Sequence, residues 1–355
     1  MRTIAANELI AEDLATFTRG QLNRDGFIDI YLHTPGGAVA VGGGNFGSQT
    51  ISSLPISTAD QQFFQDVVLF LDQRLDVDFR FSSSQMTSDI QLFYDSEIDL
   101  GGETLGLAIP NDEAGRDWWE LFINAPAFGN DLSYLRYSLI HELGHALGLE
   151  HPFDNTDGDV VDGITDPWTS AYPEETVMAY RDPLAGSWPN AYSVNDLEAL
   201  VSIWGAERQV FSNQSEQIYG GDYSEFIIAA GGNDVLVGAG GHDQLNGNQG
   251  DDRLGGNQGD DKLFGGGGND ILLGGGGGDQ LTGGGGADLI VVSAGNDIVR
   301  DFNFAAGDRL VLESGLAYSF QQQGMDLWLK TSLGQTTLIG INSADFNPSS
   351  MIEFI

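Results

Sequence analysis

The period of hydrophobic and polar positions changes along this chain. In the segments GFIDIYLH, VDFRFS and DIQLFYD, apolar and polar residues alternate, which predicts half-buried strands. Between the first and second of these, STADQQFFQDVVLFLDQRL carries its apolar residues at helical spacing. A second helix is predicted over DLSYLRYSLI, with Asp131 as N-cap and Leu135, Leu139 and Ile140 apolar. Strands and helices in this order predict a mixed α+β domain extending to about Trp204. Near residue 210 the texture changes, and from about residue 231 one aliphatic residue recurs at every ninth position.

That ninefold period is carried by more than the aliphatics. Aspartates stand at Asp234, Asp243, Asp252, Asp261, Asp270, Asp279, Asp288 and Asp297, each with a glycine two residues before and Leu, Ile or Val two residues after. Residues 231 to 300 hold 24 of the 50 glycines, too many for an ordinary core. A flexible glycine-rich linker has the composition without the register. Glycine allows the positive φ of a tight turn, aspartate supplies hard anionic oxygen, and the aliphatic side chain points into a shared core. Oxygen ligands of this kind suit calcium. If two nonapeptides make one coil, residues eighteen apart stack, and two columns of like charge repel unless a cation lies between them. The units GGGGNDILL, GGGGGDQLT and GGGGADLIV resemble the repeats of the RTX family, which implies a parallel β-roll binding several Ca²⁺ ions through these eight aspartates.

Three of the five histidines fall in HELGHALGLEHP, residues 141 to 152. His141 and His145 are one helical turn apart and share a face, with Glu142 beside them. Gly148 can end the helix and reverse the chain, bringing His151 round as a third nitrogen ligand. Three neutral nitrogens leave one position for water, and a carboxylate alongside can take its proton. The string HExxHxxGxxH is similar to the metzincin signature, and EETVMAYRDP supplies the methionine such proteins place under the metal, at Met178. Pro152 after the third histidine and Tyr180 two residues past the methionine resemble the serralysin group. The resemblance implies one catalytic Zn²⁺ on His141, His145 and His151, with Glu142 as general base. It also implies that Tyr180 ligates the resting metal and then stabilises the intermediate.

The expected organisation is a short N-terminal extension or propeptide (1–20), a metzincin-like catalytic domain (21–208), the RTX β-roll (209–300) and a C-terminal β-rich cap with a secretion signal (301–355). A net charge of −38, from 52 acidic and 14 basic side chains, argues against nucleic acid and anionic membrane as partners. No stretch reaches the ~20 apolar residues of a membrane span, so no stable membrane insertion is expected. The absence of cysteine excludes disulfides and thiolate metal sites. The N-terminus lacks a Sec-type signal pattern. The tail Ile352, Glu353, Phe354, Ile355 is similar to those of proteins exported by type I secretion machinery, which implies a secreted, extracellular protein. The acidic segment 154–163 fails the EF-hand register and reads as a solvated loop. The chain is thus expected to be a monomeric zinc endopeptidase acting on extracellular proteins or peptides. The alternative is a calcium-dependent extracellular binding or surface protein with a vestigial metal site.

Overall fold

The structure, a computed structural model, describes residues 4–22, 27–42, 47–95, 105–113, 116–154 and 161–355. Most of the acidic segment, residues 155 to 160, lies outside them. The chain divides into two compact units, Met1–Gly205 and Ala206–Ile355.

The first unit is built on a seven-stranded mixed sheet. Strands β1 (Phe27–Leu32), β4 (Asp78–Ser82), β5 (Ile90–Asp95) and β7 (Arg116–Asn124) run parallel in the spatial order β4-β1-β5-β7. Strand β6 (Gly106–Glu113) is the antiparallel edge against β7. The hairpin β2–β3 (Gly37–Val41, Gln49–Leu54) joins the end of β5. Central β5 is buried at every position, as a strand covered on both faces must be. Its helices are α1 (Glu12–Leu22), α2 (Thr58–Asp72), α3 (Leu132–Ala146) and α4 (Val194–Trp204). Ser57 caps α2 by accepting from Asp60 N, and Asp131 caps α3 by accepting from Tyr134 N at 3.0 Å. The segment Ile4–Leu22 belongs to this unit: Ile4, Leu9, Ala15 and Thr18 are buried in it.

The second unit is built differently, with short parallel strands wound so that a strand pairs with the one eighteen residues on. One column runs Leu236, Leu254, Leu272, Ile290, Leu310, and the other Ile227, Leu245, Leu263, Leu281, Val299. These side chains are all 2% exposed or less and form a single apolar core. Full burial of each contributes roughly 1.5–3 kcal/mol. The glycine two before each repeat aspartate has φ between 98° and 145°, the turn conformation that its lack of a β-carbon permits. Two of these glycines approach the preceding coil so closely that a β-carbon at Gly250 or Gly295 would lie 1.5 or 1.6 Å from a carbonyl oxygen. Beyond the repeats, Tyr318–Gln323, Asp326–Thr331 and Gly334–Leu338 form an antiparallel meander whose last strand continues the roll beside Ala294–Val299. Ile352–Phe354 adds to Arg309–Leu312.

Candidate metal centre

Helix α3 carries His141 and Glu142, both buried, and His145, half-buried, one turn on from His141. It ends at Ala146, and Gly148, with φ 103°, reverses the chain so that His151 faces the two helical histidines. Ring nitrogens of all three lie within 4.8 Å of one another. The Nε2 atoms of His145 and His151 are 3.2 Å apart, and those of His151 and His141 3.3 Å. The Nδ1 atoms of His141 and His145 meet the carbonyls of Val177 (2.8 Å) and Leu149 (2.9 Å). A carbonyl can only accept, so each Nδ1 carries the proton and each Nε2 presents a lone pair. His151 can lend a proton to one of these lone pairs but not to both. Burial lowers the pKa of His141 to about 3 and of His145 to about 4, and pushes His151 well down, so extra protons do not resolve the repulsion. A cation does. Tetrahedral coordination with metal–nitrogen bonds of about 2.0–2.1 Å places ligand nitrogens roughly 3.3 Å apart, which matches these separations.

Around the triad, each neighbour has a task. Met178 is fully buried, and Gly144 makes room for it, since a β-carbon there would lie 2.8 Å from Met178 Sδ. The turn carrying Met178 is held by Asp196 on α4, whose carboxylate accepts from Thr176 Oγ1 (2.5 Å), Val177 N (3.0 Å) and Ser193 N (2.8 Å). Asp196 therefore fixes Val177, the carbonyl that orients His141, a role with no signal in the sequence beyond the helix start it caps. Phe153 stacks on His151 with ring centroids 4.8 Å apart and planes 8° apart. Tyr180 is 40% exposed and stands over the site, its ring 5.6 Å from His141 and 4.7 Å from His151. Burial, then the negative charge of Glu142, raises its pKa to about 12. It stays a phenol, able to donate a hydrogen bond.

Glu142 is buried, and burial raises its pKa to about 8. A cation on the adjacent histidines opposes that shift, because a nearby positive charge favours the ionised form. Its carboxylate lies against Gly106 at the start of β6. Glu142, His141 and Tyr180 line a cleft of about 710 Å³ whose walls are Tyr134, Trp168 and Trp188. A polarising cation, a buried carboxylate and a phenol facing one cleft are the parts needed to add water to a carbonyl.

The repeat aspartates form a second array. Each of the eight accepts at Oδ1 from a backbone N–H of the preceding coil, as Asp252 does from Asp234 N and Asp270 from Asp252 N, both at 2.8 Å. The Oδ2 atoms of Asp234, Asp252, Asp261, Asp270, Asp279 and Asp288 are buried and accept no hydrogen bond. Carboxylate and carbonyl oxygens converge on the same small spaces: a β-carbon on Gly256 would meet Asp261 Oδ2 at 2.1 Å and Gly274 O at 2.7 Å. Orphaned anionic oxygens beside carbonyls are a cation site. The ladder runs past the ends that the ninefold period marks. Glu225 stands nine residues before Asp234, with its backbone N bound to Asp243 Oδ1 at 2.9 Å. Asp308 accepts from Asp288 N at 3.0 Å, twenty residues on instead of eighteen. Asp297 differs from these six, since its Oδ2 accepts from Ser293 Oγ at 3.2 Å.

Comparison with known proteins bears on this second array. A family model of the RTX calcium-binding nonapeptide repeat (four copies) matches residues 219–254, 247–281 and 264–299. Serralysin of Proteus mirabilis is 32% identical over 127 residues, 32% of this chain and 24% of that protein. Serralysin C of Dickeya chrysanthemi is 27% identical over 117 residues, 30% of this chain and 23% of that protein. The matched stretches thus span about a quarter of the length of these relatives. Among solved structures, the extracellular lipase LipA of Serratia marcescens is 20% identical, with a TM-score of 0.21, over 40% of this chain and 38% of that one. The AlgE6R2 subunit of the Azotobacter vinelandii mannuronan C5-epimerase is 24% identical, with a TM-score of 0.23, over 42% of this chain and 92% of that one. At such TM-scores these likenesses add nothing to the repeat match. Residues 219 to 299 are an RTX calcium-binding repeat region, in a chain with partial similarity to serralysins.

Proposed function

We propose that the chain is a secreted zinc endopeptidase whose RTX region folds on calcium. The observation that carries the reading is the convergence of three histidine nitrogens beside the buried carboxylate of Glu142, at the wall of an open cleft. Zinc suits an all-imidazole donor set, and when bound it polarises a carbonyl and acidifies water.

The residues of the chain supply the rest. His141, His145 and His151 hold the ion, and the Val177 and Leu149 carbonyls hold two of the imidazoles in the required tautomer. Glu142 accepts the proton of the attacking water and returns it to the leaving amine. Tyr180 leans over the cleft and donates its phenolic proton in a hydrogen bond to the oxyanion that forms from the peptide carbonyl. The aromatic walls contributed by Tyr134, Trp168 and Trp188 hold apolar side chains of the substrate and exclude water. The acidic surface, the RTX region and the resemblance to serralysins support export through a type I system to a calcium-rich exterior.

The test is cleavage of a generic unfolded protein by the calcium-refolded chain. Cleavage should stop on removal of zinc and return on its replacement. A chain that holds one zinc at its three histidines and cleaves no unfolded protein contradicts the peptidase reading.

A further inference from the structure

The stretch from Ala146 to Glu150, which carries the chain from the second histidine to the third, depends on residues far away in sequence. At the end of a helix the last carbonyls have no amide four residues on to accept from. Here the reversal at Gly148 also moves Glu150 away from Ala146. The partners come from the N-terminal segment. Ala146 O accepts from Thr18 Oγ1 at 2.7 Å, Gly148 O from Ala11 N at 2.9 Å, and Glu150 N donates to Leu9 O at 3.0 Å. Ile10 and Leu149 form an isolated antiparallel bridge, and the carbonyl of Leu149 is the one that holds the His145 imidazole. Helix α1 packs directly on the turn, where a β-carbon at Gly148 would lie 2.8 Å from the Ala15 methyl group. Thr18 is fully buried, and its hydroxyl also accepts from Trp119 Nε1 at 2.9 Å, tying α1 and the zinc helix to β7.

We propose that residues 4–22, which occupy the place where a removable propeptide is expected, are instead a permanent clamp on the metal centre, with Thr18 as its positioning residue. The inference rests on the zinc reading above. Thr18 touches neither metal nor cleft; it fixes the end of α3 and, through residues 147 to 150, the relation of His145 to His151. Without its hydroxyl, the Ala146 carbonyl loses its donor and the Trp119 indole its acceptor, both in the interior. The loop then relaxes and the third histidine with it.

Two substitutions in the full, calcium-loaded chain separate positioning from packing. Thr18→Val keeps the shape and removes the hydroxyl, whereas Thr18→Ser keeps the hydroxyl. Thr18→Val should release zinc to a chelator at least tenfold faster, the size expected from either one of the two buried groups it leaves unsatisfied. It should also speed hydrogen exchange at the amides of Leu149 and Glu150. Thr18→Ser should stay close to the parent in both. Mass spectrometry of the zinc-loaded, active protein should find residues 4–22 still attached. A lowered melting temperature in Thr18→Val, with zinc release unchanged well below the transition, would assign Thr18 to the core alone and overturn its positioning role. A zinc-loaded, active chain beginning after Leu22 would overturn the clamp. If the parent chain binds no zinc, the peptidase reading fails, and hydrogen exchange at residues 149 and 150 decides the clamp by itself.

Discussion

Gly106 and Glu142 meet although no spacing in the sequence connects them. A β-carbon at residue 106 would lie 2.3 Å from Glu142 Oε1 and 2.8 Å from its Cδ, so the carboxylate occupies space that only glycine leaves. Gly106→Ala should therefore displace the carboxylate proposed as general base while leaving the three histidines in place. We expect turnover to fall at least tenfold with zinc content unchanged, the loss expected when a proton-transfer group is misplaced. Parent-level kcat in that variant would place the working carboxylate elsewhere. The same comparison marks the limit of reading single residues. His141, Glu142, His145, His151 and Gly148 are legible because one helix and one turn fix their spacing. Gly106, Asp196 and Thr18 are not, because each reaches the site across a tertiary contact.

Among elements, α3 and the roll were the most legible, for different reasons. Helix α3 has a cap at Asp131, apolar residues at helical spacing and a glycine stop, so local rules agree with the fold. The roll repeats one local solution, and its period survives because each coil contacts only its neighbours. The ends of the ladder were harder. Glu225 keeps the ninefold spacing but lacks the glycine two residues before, and Asp308 lies beyond a two-residue insertion and also has no glycine two residues before it, although Leu310 follows it as in a repeat. The contacts of residues 4 to 20 with the end of α3 were illegible because their partners lie more than a hundred residues away.

The roll also makes a pH prediction at this scale. Without calcium, burial raises the carboxyl pKa of Asp261 to about 6 and of Asp270 and Asp297 to about 7, and raises those of Asp252, Asp279 and Asp288. These folded-state values lie above the unfolded ones. Protonation thus favours the fold: the contribution is complete below about pH 3.8 and is lost as pH rises through about 6 to 7. In chelator, the strand signal in circular dichroism should be stronger near pH 5 than near pH 8. With calcium it should hold at both. A calcium-free roll with the same signal at both values would contradict the role given to the orphaned oxygens.

At the scale of the whole molecule, most of the negative charge is not in the repeats. Residues 1 to 230 hold 36 acidic and 9 basic side chains, against 10 and 3 in residues 231 to 300. No helix among the described residues is long and apolar enough to cross a membrane. Calcium bound only by the folded roll adds to its stability by mass action, so chelation at neutral pH should unfold residues 231 to 300; retained amide protection there would show that the roll folds unaided. On the proposed reading, this dependence lets the chain stay unfolded where calcium is scarce and fold where it is plentiful, which suits export before folding. The catalytic claim has a more direct test in Glu142→Gln, assayed for zinc content and for cleavage of an unfolded protein. The account predicts one zinc per chain, as in the parent, and turnover reduced by roughly 10² to 10⁴-fold, the range for loss of a general base. A variant that keeps its zinc and cleaves at the parent rate would contradict it.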